Sequence, residues 1–530
     1  MNAEQLQSLI AMSAYMLVVI GIGIFFAKRA NKSSENYFIG GRSLGPWVAA
    51  MSAEASDMSG WLLMGLPGVA YWCGIADAAW TAIGLAAGTY INWLIISKRL
   101  RRYSTVAGDA ITIPDFFSAR FREHKKVIMT IAALFILIFF TVYASSCFVT
   151  CGKLFSKLFG APYQAMMIVG AAFVILYTFL GGFLAESVSD FMQAVVMLFA
   201  LSTILIVGVI HAGGIGAVID NAASIDGFLS FFATASPVVD ADGVQQVANN
   251  APLFGAAGGY GIITIISTLS WGLGYFGVPQ VLLRFMAIRK SSQLKKSRRI
   301  ATVWVVISLF AAVVIGVLGR SLAPTDPSLL SSSSAENVFI VLSQDLLPPL
   351  LAGVVMAGIL AATISSSDSY LLIAASAVSK NIYQGLLFKK ASDKSVMIVS
   401  RIVLLAITVV GVLIALDENS VIFKVVAFAW AGFGATFGPL LLFSLFWKRV
   451  NRAGAIAGML TGGVMVFVWK LVIAPLSGNV SGILGELLGI YELLPAFVLS
   501  CIVIVVISLL TPPPSADVLQ DFEKAKTIEC

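Results

Sequence analysis

Met51-Ser-Ala-Glu-Ala-Ser-Asp-Met-Ser-Gly-Trp-Leu-Leu-Met-Gly-Leu-Pro-Gly68 lies inside a run long enough to cross a bilayer, yet its centre is polar. Ser56, Asp57, Ser59 and Gly60 interrupt it, and Pro67 and Gly68 follow. Glycine weakens a helix interior, and a carboxylate in hydrocarbon is costly. Asp57 therefore needs a cation, a donor network or an aqueous cavity. A polar, glycine-interrupted span is also the sequence pattern that marks a transporter's binding site.

The rest of the chain fits a lipid solvent. Of 530 residues, 59% are hydrophobic and 12% charged, with a mean hydropathy of +0.94. A soluble domain carries roughly twice that share of charge. Continuous apolar runs recur and imply about thirteen spanning helices, since backbone groups in lipid must be satisfied within the segment. Their centres fall near Leu17, Met58, Gly84, Ile138, Val174, Leu201, Leu273, Val313, Met356, Leu405, Gly434, Gly463 and Ile504. The expected fold class is all-α integral membrane, with one transport domain over 1–511 and a short cytoplasmic tail over 512–530. The first run lacks a basic leader and a small-residue cleavage site, so it is expected to stay as a span.

The net charge of +7 is a topological signal and no nucleic-acid footprint. Lys and Arg gather in alternate loops, as in Lys98–Arg102 and Arg289–Arg299. The long segment from His211 to Gly255 has neither and carries Asp220, Asp226, Asp240 and Asp242. By the positive-inside rule the N-terminus is outside and the C-terminus cytoplasmic, with Lys153, Lys157 and Arg320 as exceptions. The five cysteines and two histidines suggest neither a metal cluster nor a catalytic triad. The absence of a Walker-type loop argues against ATP. An enzyme is not expected.

Three further places depart from plain lipid-facing composition. Ser270-Trp-Gly-Leu-Gly-Tyr-Phe-Gly-Val-Pro279 holds too many helix breakers for an unbroken helix. On helical spacing, Trp271, Tyr275 and Pro279 share a face, either as a pocket wall or as a packing stripe. In Ala361-Ala-Thr-Ile-Ser-Ser-Ser-Asp-Ser-Tyr370, Ser365, Asp368 and Ser369 share a face and Ser366 is adjacent. Hard oxygen donors with little formal charge suit a monovalent cation; hydroxyls bonded back to the preceding turn are the alternative. Asp190 is either a helix-start acid or a ligand to an ion held with that serine helix. Gly84-Leu-Ala-Ala-Gly88 reads as a close helix contact.

The stretches Tyr37–Pro46, Ala55–Gly68, Trp271–Gly277 and Gly358–Ala362 resemble the solute:sodium symporter family, and the likeness runs from the first helix to Trp469-Lys470. Its proline-transporting branch is the nearer match. The resemblance implies an inverted five-plus-five repeat of the leucine-transporter type, with broken first and sixth core helices. It implies sodium coupled to uptake of a small zwitterionic or carboxylated solute across the cell membrane by alternating access. L-proline is the first expectation; another amino acid or a sialic-acid-like carboxylated solute is the second. A channel or sensor on the same fold is the reading from another class. The implied sodium ligands are the carbonyls of Ala55, Met58 and Ala362 and the hydroxyls of Ser365 and Ser366, with Asp57 in support. The implied solute wall is Ser59, Gly60, Tyr143, Trp271, Tyr275 and Pro279. Glu54, Val278 and Asp368 depart from the family pattern. Asp368, with Asp190, Ser365 and Ser369, opens a second cation site by resemblance to the family's sialic-acid members.

Overall fold

The computed structural model describes residues 3–30, 32–528 and 530. In chain order its apolar helices are α1 (Ala3–Phe26), α2 (Pro46–Asp57), α3 (Trp61–Cys73), α4 (Ile75–Val106), α5 (Val127–Phe159), α6 (Tyr163–Phe179), α7 (Gly182–His211), α8 (Ile262–Phe276), α9 (Pro279–Ala287), α10 (Ser291–Leu322), α11 (Pro349–Leu387), α12 (Asp393–Ile414), α13 (Ile422–Phe446), α14 (Arg452–Asn479) and α15 (Leu493–Leu510). A polar helix, α16 (Ala516–Thr527), follows.

Among the described residues ten helices are long and apolar enough to cross a membrane, or eleven if the bent pair α8–α9 is one span. The chain is thus a multi-pass membrane protein. The difference from about thirteen has a physical origin in three runs. The run around Met58 splits into α2 and α3, each short of a bilayer by itself. The run around Val174 folds as the short α6. The run around Leu273 bends by 40° between α8 and α9.

Both breaks follow from local chemistry. Met58 leaves the helical region (φ −86°, ψ 75°), and Gly60 packs so tightly on Thr150 that an added Cβ would overlap that side chain. At the second break, Gly277 and Val278 precede Pro279, whose ring lacks the N–H needed to continue α8 and sits at the first position of α9. The Gly84/Gly88 contact is as expected: Gly88 lies against the backbone of Gly272, and Gly84 against that of Leu269.

One segment corrects the all-α expectation. After a short helix at Ile215–Ala223, β1 (Ala233–Pro237), β2 (Val247–Ala248), β3 (Ala251–Pro252) and β4 (Phe254–Gly259) form two antiparallel pairs, β1 with β4 and β2 with β3. Small residues without a helical apolar period make these strands, and they cap the helix ends. Trp80 Nε1 donates to the Phe231 carbonyl at 2.8 Å, and Arg320 Nη1 to Gln245 Oε1 at 3.3 Å.

The same end of the molecule explains two cations that stood outside the charge pattern. Lys153 is buried in an ion pair with Glu336 at 2.8 Å. Arg320 is buried, with its guanidinium 3.9 Å from the Tyr71 ring centroid. Both are consumed internally, so neither offers free charge to a loop. At the opposite end α16 docks onto the basic loops. Arg122 pairs with Asp521 at 2.9 Å and Asp517 at 3.3 Å, Phe522 packs on Tyr103, and the Ser291 N–H donates to the Cys530 carbonyl at 2.6 Å.

Candidate functional site

The break between α2 and α3 faces α11. Release of the backbone at Met58 leaves carbonyls at the end of α2 unclaimed by a further turn. Ser365 Oγ donates to the Ala55 carbonyl at 2.8 Å, and Ser366 Oγ lies 3.3 Å from it. Ser365 Oγ is also 3.1 Å from the Ala362 carbonyl. Ala55, Ala362, Ser365 and Ser366 therefore converge as buried, hard oxygen donors. Met58 lies three residues on in the break and is buried.

Asp57 stands beside this cluster, 1% exposed. Its Oδ2 accepts from Tyr275 Oη at 2.7 Å. Its Oδ1 has no hydrogen bond among the described residues, with the Gln280 side chain nearby, and no cation pairs with it. The carboxylate thus has one neutral donor and no counter-charge. Its carbonyl accepts from Tyr143 Oη at 3.3 Å, and the Tyr143 ring lies 4.3 Å from Tyr370. Ser59 and Gly60 complete this buried wall.

Trp271, Tyr275 and Pro279 do not form one continuous stripe: the Trp271 and Tyr275 rings both meet Trp430, while Pro279 lies past the bend. Ser270–Phe276 winds as a 3₁₀ helix with about three residues per turn, so an i, i+4 pair diverges there. Trp271 points to a cavity of about 500 Å³ bounded by Asp77, Tyr260, Glu336, Phe423 and Tyr491. Its ring packs 5.2 Å from Tyr491 and 5.1 Å from Phe423. Tyr275 turns to Asp57. Pro279 borders a different, small cavity with Phe38, Ile136 and Leu283. Glu492 also lines the large cavity; burial pushes its carboxyl above the usual range, against the opposing pull of Lys470.

The cluster expected to hold a second cation is arranged otherwise. Asp190 Oδ2 accepts from Ser52 Oγ at 2.7 Å and from Arg284 Nη2 at 3.1 Å. Arg284 Nη2 also pairs closely with Glu186 Oε1 and donates to Ser369 Oγ at 2.8 Å. Ser369 Oγ lies 2.5 Å from Glu186 Oε1 and 3.0 Å from the Ser365 carbonyl. Asp368 Oδ1 accepts from the Ser369 N–H at 2.7 Å, while its Oδ2 has no bond among the described residues. Asp190, Asp368 and Ser369 are therefore neighbours of a buried guanidinium, and Ser365 turns to the Ala55 side. Among the described residues no group of three or more His, Cys, Asp or Glu is arranged to hold a metal ion.

Glu186 and Arg284 were the silent members, and Glu54 stood out in the sequence only as a departure from the family pattern. Glu54 is buried and accepts from Trp93 Nε1 at 3.1 Å. Arg284 was open to the argument applied to Asp57: a charge inside an apolar run is expensive and needs a partner.

The geometry can be set beside known proteins. A model of the sodium:solute symporter family matches residues 37–462. The sodium/proline symporter of Staphylococcus aureus (strain USA300 / TCH1516) is 40% identical over 525 residues, covering 98% of this chain and 96% of that protein. A solved sodium-coupled sialic acid symporter, substrate-bound and outward-open, superposes with a TM-score of 0.74 at 18% identity over 96% of this chain and 99% of its own. MhsT in complex with L-phenylalanine gives a TM-score of 0.50 at 14% identity, covering 87% and 97%. At such identities the two structures speak for the fold.

Proposed function

The chain belongs to the sodium:solute symporter family, and from that premise we infer that it imports a small zwitterionic solute, L-proline first among them, driven by inward sodium movement. The observation that carries this reading is the meeting of the Ala55 carbonyl with the Ser365 and Ser366 hydroxyls beside Asp57. Hard oxygens around a broken helix suit sodium, and an uncompensated carboxylate at that depth favours a mobile cation. Sodium is cargo here. Asp57 supports it electrostatically, and Tyr275 orients the carboxylate through its 2.7 Å hydrogen bond.

Solute binding falls between this cluster and the large cavity. Ser59, Gly60 and Tyr143 form the buried wall, and Trp271 is the aromatic lid between them and the 500 Å³ vestibule. Aromatic faces cover an apolar ring, and a broken helix offers its ends to the charges of a zwitterion. Pro279 acts in this reading as the start of α9, a hinge element.

The described residues then form thirteen spans, with α2–α3 and α8–α9 each counted as one. In chain order these two broken spans each open a set of five, which supports the inverted repeat. The side bearing the basic loops and α16 is cytoplasmic by the positive-inside rule.

Uptake by proteoliposomes tests the reading. A panel of L-proline, other amino acids and sialic acid is offered with and without an inward sodium gradient. L-proline accumulation only with the gradient is expected. Accumulation of another solute reassigns the substrate; gradient-independent equilibration of any solute contradicts symport.

A further inference from the structure

We propose that Arg284 is a tethered cation which does the work of a second mobile ion, clamping α2 to α11 just beyond the sodium cluster, so that a single sodium accompanies each solute. The proposal rests on the sodium reading above and adds a fixed charge to it.

The geometry is a double tie between the same two helices. At the first level the Ala55 carbonyl of α2 meets Ser365 of α11. At the second, Arg284 Nε donates to Ser52 Oγ at 3.0 Å and its Nη2 to Ser369 Oγ at 2.8 Å. Ser52 is one turn before Ala55 on α2, and Ser369 one turn after Ser365 on α11. The guanidinium therefore repeats, one turn along, the connection that sodium makes between α2 and α11. It also holds Glu186 and Asp190 of α7, so a charge carried by α9 joins three other helices.

Chemistry favours a guanidinium in this role. Arg stays protonated, presents a planar fork of donors, and is more weakly hydrated than an ammonium, so it suits a dry, multi-acceptor site. Arg284 is fully buried, with Phe183 5.0 Å from its Cζ. A second sodium would have to displace it to reach Asp190 Oδ2 and Ser369 Oγ. Arg284 is a positioning residue: it acts on sodium and solute through α2 and α11.

The test is sodium:solute stoichiometry from reversal potentials, with L-proline as the probe, on wild type, Arg284→Lys and Arg284→Gln in proteoliposomes. Wild type should carry one sodium per proline. The Lys variant keeps a charge and should keep that ratio. The Gln variant should raise the sodium concentration for half-maximal uptake about tenfold or more, and steepen the sodium dependence, as a mobile ion enters the vacated place. A wild-type ratio of two overturns the proposal while leaving sodium symport intact, as does a Gln variant with wild-type sodium activation. If the Gln protein does not fold, the wild-type and Lys ratios decide. Wild type without sodium-driven uptake removes the symport reading and this proposal together.

Discussion

Two buried acidic settings lie within a few turns of one another and are built oppositely. Among the described residues Asp57 accepts from the Tyr275 hydroxyl, with the Gln280 side chain beside it, and forms no ion pair. Asp190 of α7, which accepts from Ser52 five residues before Asp57 on α2, has a guanidinium 3.1 Å away, shared with Glu186. Burying two charges is costly, and a buried pair repays that cost only with good geometry. The Asp190 setting repays part of it within the protein, through one guanidinium shared with Glu186. The Asp57 setting has no ion pair among the described residues, which is what the proposed sodium would supply. A binding site for a mobile cation is where the fold omits the counter-charge, and a structural ion pair is where it supplies one.

The comparison can be broken at its strongest point. Ser365→Ala with Ser366→Ala removes both hydroxyls facing the Ala55 carbonyl. A hydrogen-bonding group to a charge is worth about 1.5–3 kcal/mol, so losing two should cut sodium-stimulated uptake by about 100-fold or more. Retained sodium stimulation at normal surface expression would move the mobile cation elsewhere.

Trp271→Ala separates solute from ion. Loss of one aromatic face costs about 1–3 kcal/mol, or roughly 5- to 150-fold in solute affinity, with the sodium midpoint little changed. Isothermal titration of solute at saturating sodium measures it. Wild-type affinity returns Trp271 to a packing role among Phe423, Trp430 and Tyr491.

Asp57→Asn sharpens the electrostatic half of the contrast. Asn preserves shape and can still accept from Tyr275, but carries no charge. The sodium midpoint of uptake should rise about tenfold, the equivalent of about 1.4 kcal/mol. An unchanged midpoint would make Asp57 a structural acceptor for Tyr275.

The smallest effect belongs to an exposed pair. Arg122 is 48% exposed and Asp517 67% exposed, so their ion pair is screened by water. Arg122→Ala should change thermal stability little and leave transport unchanged. A large loss of uptake with α16 released would make the docked tail part of the transport cycle.

Much of the fold was legible because lipid imposes its own solvent rule on every span. Each expected centre lies in an apolar helix or, for Met58, in the break between two. The serines of α11 and Asp57 were legible for the same reason: polar atoms in hydrocarbon must be explained. Three features escaped. The stripe at Trp271, Tyr275 and Pro279 assumed an α-helical period where the chain winds as a 3₁₀ helix and then bends. The strands at 233–259 lie outside the membrane runs, where hydropathy carries no such rule. Arg284 pairs with Glu186 across 98 residues of sequence, and no local pattern encodes a partner so remote.

On the proposed reading the mobile cation sits on the Asp57 side and the fixed one, Arg284, on the Asp190 side. Equilibrium binding of radioactive sodium to the purified protein tests it most directly, comparing wild type, the Ser365→Ala/Ser366→Ala double variant and Ser369→Ala. One saturable site is expected in wild type, retained in Ser369→Ala and lost in the double variant. Sodium binding that survives in the double variant and disappears in Ser369→Ala would contradict it.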